Sequence, residues 1–139
     1  MTIPKFRAWN KKLKSMYSTD DIVFIDFEEE EICVQTIYFE QGLPDERDLD
    51  FYTFDEIEFM QSTGLVDKNN KEIFDGDVLL TYDDELVKVY WDDILGSWYI
   101  AFPCEAVELN EVADIQSSRS ICKIIGNIYE NPELLEGEA

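Results

Sequence analysis

From residue 57 to residue 130 the chain reads as a succession of short apolar runs with turn residues between them. Within each run apolar and polar side chains alternate, and a period of two marks a strand with one buried face. Ile57 and Phe59 alternate with Glu56 and Glu58, and Val78–Tyr82 follows the tight Asp75-Gly76-Asp77 turn. Leu86–Trp91 puts Val87, Val89 and Trp91 on one face; Trp98, Ile100 and Phe102 alternate after a turn near Gly96; Ile121–Ile125 reads as a last buried strand. Val107–Ile115 fits either a strand or a short helix. Asp67–Lys71, with two asparagines, is a polar turn suited to left-handed or Asx-turn geometry. Short strands at this spacing predict a small β-barrel over residues 57–131, and the Gly-Asp turn feeding its first long strand points to an SH3-like one.

Residues 1–56 are expected to form a separate region of β-hairpins. Phe6 and Ala8 alternate with Lys5, Arg7 and Trp9, a polar turn follows at Asn10–Lys12, and Leu13–Tyr17 returns. Ile22–Phe27 and Ile32–Phe39 flank four glutamates, Glu28–Glu31, whose mutual repulsion keeps the connection solvated. Gln41–Asp50, with Gly42, Pro44 and several charges, reads as a loop or linker. Thr53-Phe-Asp-Glu56 has the spacing of a capping box, set against the strand-like alternation that follows. Asn131-Pro132-Glu133 has the order of a helix start, so residues 132–139 are read as an acidic tail with a short helix that persists only if docked. The fold class is therefore mainly β.

Charge narrows the choice of partner. The chain carries 32 Asp and Glu against 11 Lys and Arg, a net −21. Self-repulsion of this size keeps a protein soluble and argues against nucleic-acid binding, which needs basic residues on phosphates. The basic residues Lys5, Arg7, Lys11, Lys12 and Lys14 gather in a head free of acids, which can dock on its own acidic body or on a neighbouring copy. Three cysteines, Cys33, Cys104 and Cys122, form no CxxC pair and read as reduced core thiols. The first residues lack the apolar stretch of a signal peptide, and no apolar run approaches the ~20 residues of a membrane span, so a cytoplasmic, membrane-free protein is expected.

Three segments carry a resemblance. They are Lys5-Phe6-Arg7-Ala8-Trp9 followed by Met16-Tyr17, the long run Met60–Asp77, and Ile124–Leu134. In this order they resemble the YopX family of phage and prophage proteins, with Asn70 where that family usually has Gly and Asp75 where Glu is more usual. The resemblance implies a gene carried by phages or prophages and a mostly-β fold; it implies no activity. Gly64, Gly76 and Gly126 fit positions that need unusual backbone dihedrals, and so read as determinants of fold.

Chemistry is harder to find. The sequence has no histidine, which removes the commonest general base and excludes Ser-His-Asp and Cys-His arrangements. Its glycines form neither a P-loop nor a dinucleotide fingerprint, and the Asp67–Glu72 stretch departs early from a calcium loop because Lys71 replaces an oxygen ligand. No catalytic, cofactor-binding or metal-binding residue is assigned. The candidate interaction surface is Tyr90 and Tyr99 with the acidic residues Asp83, Asp84, Asp92 and Asp93, while Trp91 and Trp98 are expected in the core. The reading is a non-enzymatic accessory protein, without cofactor, acting by protein–protein binding or self-assembly as a homo-oligomer. The alternative is an acidic nucleic-acid mimic that blocks a host DNA-binding enzyme.

Overall fold

A computed structural model describes residues 4–102, 105–114 and 116–136. Cys104 and Ile115 lie outside the described residues, as do 1–3 and 137–139. The described chain is mainly β, and it divides into a unit of Lys5–Met60 and a unit from Gln61 onward.

The first unit is built by hairpins. β1 (Phe6–Asn10) and β2 (Ser15–Tyr17) pair with Trp9 opposite Met16. Buried Asn10 closes their turn, its Oδ1 accepting the Lys12 and Leu13 N–H groups at 3.0 Å each. β3 (Ile22–Asp26) and β4 (Glu31–Glu40) flank the glutamate turn, where Asp26 Oδ1 accepts the N–H of Glu28 and of Glu29. β5 (Leu43–Thr53) then pairs with β4 along its whole length. Gln41–Asp50 is thus a turn and a strand, not the expected loop. Only Gln41 and Gly42 turn, at φ 53° and 80°, which suits a two-residue hairpin turn. Pro44 is tolerated because β5 is an edge strand with a register shift beside it. The core of this unit is Ala8, Ile32, Val34 and Ile57, with Tyr17, Ile22, Tyr52 and Phe59 packed around it.

Thr53 opens a single 3₁₀ turn, Phe54–Glu56, in which its hydroxyl meets Glu56 Oε1 and caps no backbone group. The capping-box spacing therefore yields one turn, and the alternation wins: β6 (Ile57–Val66) is a strand that continues into the second unit.

The second unit contains β7 (Glu72–Phe74), β8 (Asp77–Leu80), β9 (Leu86–Asp92), β10 (Ser97–Ala101) and β11 (Ala106–Glu108). A 3₁₀ turn at Leu109–Val112 leads to the two-residue strands β12 (Ala113–Asp114) and β13 (Arg119–Ser120). β14 (Lys123–Asn127) and the short helix α1 (Glu133–Glu136) finish it. Five strands form a sheet in the order β11-β10-β9-β8-β14, and β7 and β13 flank β6 in another. Ile73, Leu79, Val87, Val89, Ile100 and Leu109 form the buried core with Cys122.

No closed barrel is found among the described residues, since β11 and β14 remain at opposite edges of their sheet. The backbone of β14 and of the residue before it is engaged elsewhere: Ile124 N–H donates to Asp67 Oδ2 at 2.9 Å, and Lys68 N–H donates to the Cys122 carbonyl at 3.0 Å. The Asp67 turn thus takes groups that a closing strand would need.

Candidate functional site

The β9–β10 hairpin puts its aromatics on two faces. Tyr90 and Tyr99 are cross-strand partners, their rings 6.1 Å apart and tilted by 31°. Glu108 of β11 lies opposite Tyr99, and the Lys88 ammonium stands 6.0 Å from the Tyr90 ring, the outer limit of a cation–π contact. Burial pushes the Tyr99 phenol up, and the carboxylates of Glu108 and Asp92 push it the same way. Both tyrosines are half-buried, forming a strip bordered by Asp92 and Glu108.

The acidic members do not gather there. Asp92 is the last residue of β9 and Asp93 begins the turn after it, and Asp92 Oδ1 is engaged by the Ile94 and Leu95 N–H groups at 2.9 Å each. Asp83 and Asp84 occupy the turn before β9, with Asp84 at φ 63°. A seven-residue strand separates the two pairs, a span of roughly 24 Å. The sheet therefore groups Tyr90, Tyr99 and Asp92, leaves Asp93 exposed in the neighbouring turn, and puts Asp83 and Asp84 at the far end.

On the other face Trp91 and Trp98 pair edge to face, with centroids 5.1 Å apart. Trp98 packs against the core, but Trp91 is 44% exposed and Ile94 and Leu95 in the adjoining turn are 95% and 63% exposed. The expectation that both tryptophans are core residues fails for Trp91, because the hairpin runs on past the last core pair, Val89–Ile100. An apolar Ile-Leu pair inside a predicted turn is the sequence signal for this exposed tip.

The β4–β5 hairpin carries the largest group of exposed apolar side chains. Ile37, Tyr38 and Phe39 on β4 and Leu43, Leu49 and Phe51 on β5 are all more than a third exposed. Parity puts Ile37, Leu49 and Phe51 on one face and Glu46, Asp48, Asp50 and Tyr38 on the other. A hydrogen bond to Asp48 is the main reason the Tyr38 phenol is raised. Of the basic head, Lys11 meets Glu58 of its own chain at 3.1 Å.

Two buried carboxylates are structural. Asp67 is fully buried and accepts three N–H groups, from Asn69 at 2.8 Å and from Lys71 and Ile124 at 2.9 Å. Burial pushes its carboxyl up, but those three N–H groups and the Lys71 charge outweigh this and hold it below the ordinary range. Asp77 accepts the buried Phe74 N–H at 2.8 Å. Cys33 and Cys122 are buried free thiols, both raised chiefly by burial. Among the described residues no cluster of three or more metal-ligating side chains occurs. No helix of the described residues is long and apolar enough to cross a membrane.

The family model described as YopX protein matches residues 5–136. The chain belongs to the YopX family. Among solved structures it is similar to protein EF1440 from Enterococcus faecalis, at 28% identity and a TM-score of 0.63, covering 97% of this chain and 99% of that one. It shares its fold with protein yopX from Bacillus subtilis, at 18% identity and a TM-score of 0.60, covering 97% of this chain and 98% of that one. The comparison with curated proteins gave no match.

Two of the segments that carry the YopX resemblance, Met60–Asp77 and Ile124–Leu134, hold the knots of the second unit. Asn70, in the place of the usual glycine, sits at φ 67°, and its Oδ1 accepts from Arg119 at 2.6 Å. Gly64 and Gly76 do have left-handed backbones, at φ 81° and 86°. Gly126 is needed for a different reason: an added Cβ would lie 2.5 Å from Asn131 Oδ1 and 2.8 Å from Leu134 Cδ1.

Proposed function

We propose that this YopX-family chain is a non-enzymatic phage or prophage accessory protein that works by binding protein, self-assembly included, in the host cytoplasm. The observation that carries the reading is the position of its exposed apolar side chains. Nine of the fifteen large apolar side chains exposed among the described residues lie on two hairpins, the β4–β5 arm and the Trp91–Leu95 tip. Projecting apolar side chains rimmed by charge are the usual anatomy of a protein-binding surface. The strip of Tyr90 and Tyr99 beside Asp92 adds an aromatic surface of the kind that anchors interfaces. Free buried thiols at Cys33 and Cys122 suit a reducing compartment.

The finer reading of the second unit is a small SH3-like barrel opened along one seam. Its support is connectivity: β8 to β11 follow in order, a 3₁₀ turn intervenes, and β14 returns to pair with β8. A second functional reading, an acidic nucleic-acid mimic, is favoured by one feature. Glu46, Asp48 and Asp50 recur at every second residue along β5, a row with a spacing of about 6.8 Å.

A tagged-protein pull-down from host lysate at low and high salt, with the mass of the purified protein measured alongside, separates the readings. Salt-resistant recovery of protein partners, or a defined oligomer, supports binding and assembly. A basic DNA-binding enzyme released by salt favours the mimic and sinks the leading reading.

A further inference from the structure

The two edges of the β4–β5 arm are built differently. The pairing of β3 with β4 ends at Ile22–Val34, and beyond it Gln35–Glu40 pair only with β5 among the described residues. Gln35 Nε2 still reaches back to the Asp20 carbonyl, so the open edge begins at Thr36. Alternate N–H and C=O groups along that edge point outward, a template for another strand. The stretch Ile32–Phe39 contains no charge, glycine or proline, in a chain that is 31% charged. The opposite edge, on β5, carries Pro44, Glu46, Asp48 and Asp50, the residues that discourage strand addition.

We infer that the open edge of β4 is completed by the same edge of a second copy, the two strands running antiparallel about a twofold axis. This names the surface behind the self-assembly reading and rests on it. Charge selects the second copy and the edge together. Two chains of net −21 repel, so their contact must keep the acidic rows apart. A β5–β4–β4–β5 ribbon puts those rows three strand spacings from each other, roughly 14 Å, beyond the ~8–10 Å over which exposed charges interact at moderate salt. Pairing through β5 would instead bring them within ~5 Å. An edge whose only charge is Glu40 at its end, set opposite an uncharged threonine, is what a highly charged chain needs to meet itself. Centring the axis on Tyr38 puts Ile37 opposite the second copy's Phe39 and Thr36 opposite its Glu40, and keeps β3 of each copy clear of the other. Ile37 and Phe39, 36% and 65% exposed, then cover each other on one face of the ribbon.

The test is light-scattering mass across a concentration series, on wild type and on two double variants, I37K/F39K and I37E/F39E. Both positions are exposed, and an unchanged circular dichroism spectrum verifies folding. The expected result is a wild-type mass of twice 16.3 kDa, at least 100-fold weaker association for each variant alone, and the dimer restored in their equimolar mixture, where the ammonium groups of one copy meet the carboxylates of the other. If the variants keep the wild-type mass, this edge is not the interface and self-assembly stands by another surface. If each variant dissociates but the mixture stays monomeric, the edge does not meet its own counterpart and the inference is wrong. A wild type that is monomeric at every concentration overturns self-assembly itself, and the inference with it.

Discussion

Replacing Asp67 with asparagine removes one charge, changes one atom's chemistry and leaves the shape of the side chain. The retained Oδ1 can still accept the Asn69 and Lys71 N–H groups, but the new amide nitrogen faces the Ile124 N–H, donor against donor. A hydrogen bond to a charged group contributes about 1.5–3 kcal/mol, and a buried N–H left without an acceptor costs about 1–3 kcal/mol. Because part of this overlaps, the expected loss is about 3 kcal/mol. For a unit of this size that lowers the melting temperature by roughly 10–20 °C. Asp67→Ala, which strands all three donors, should cost more, about 4–6 kcal/mol. Urea denaturation followed by tryptophan fluorescence measures the difference, since Trp98 packs in the affected core.

The acid dependence supplies the decisive control. The folded Asp67 carboxyl titrates below its ordinary value of 3.8. A depressed carboxyl contributes stability that is present above the unfolded value and lost as pH falls through the folded one. The gap between wild type and Asp67→Asn should therefore be constant near neutral pH and shrink below about pH 4. A gap under about 1 kcal/mol at neutral pH, or one that survives acidification undiminished, would refute the account of Asp67 as a charge-dependent clamp on β14.

Gly126→Ala should destabilise the second unit by about 1–3 kcal/mol, because the added carbon meets the Asn131 side chain and Leu134; trimming the obstacle with Asn131→Gly should recover part of that loss in the same melt. The phenol of Tyr52, raised to about 12 by its hydrogen bond with Tyr17 and by burial, should lose the part of that elevation due to the hydrogen bond in Tyr17→Phe. With Tyr52 raised above its unfolded value, its stabilisation is complete below about pH 10 and disappears as pH climbs toward 12, which ultraviolet titration of the two proteins can follow. Ile94→Ser with Leu95→Ser should leave the melting temperature nearly unchanged, within about 0.5 kcal/mol per site, while weakening salt-resistant capture of protein partners; unaltered capture would remove the hairpin tip from the binding surface.

The sequence was legible where structure is local. The opening hairpin, the pair of strands around the glutamate turn, and β8, β9 and β10 all announce themselves by alternation within a few residues. The β5 strand was hidden because Gly42, Pro44 and its acids carry the signature of a loop, although Glu46, Asp48 and Asp50 alternating with Arg47, Leu49 and Phe51 was a strand signal present all along. The division of Tyr90 and Tyr99 from Trp91 and Trp98 followed from parity, but how far the core reaches along a hairpin is a tertiary fact, so Trp91 was misplaced. The acidic candidates were close in sequence yet lie at two ends of one strand, because antiparallel connections put successive turns on opposite sides of a sheet. Nothing local distinguishes Asp67 from any turn aspartate, since the group that makes it an anchor, Ile124, is 57 residues further on.

That long reach gives the two units different histories at the ribosome. The β1–β2, β3–β4 and β4–β5 pairs and the buried core of the first unit lie within Lys5–Met60, so they can form while synthesis continues. The second unit begins at Gln61, but the partner that β8 and the Asp67 clamp both need is not made until the last stretch of chain emerges. Until then β8 has an unfilled edge and the core lacks Cys122 and Ile124. The interval between those two moments is when a nascent chain of this kind is most open to mispairing, and chain termination before β14 would leave it there permanently.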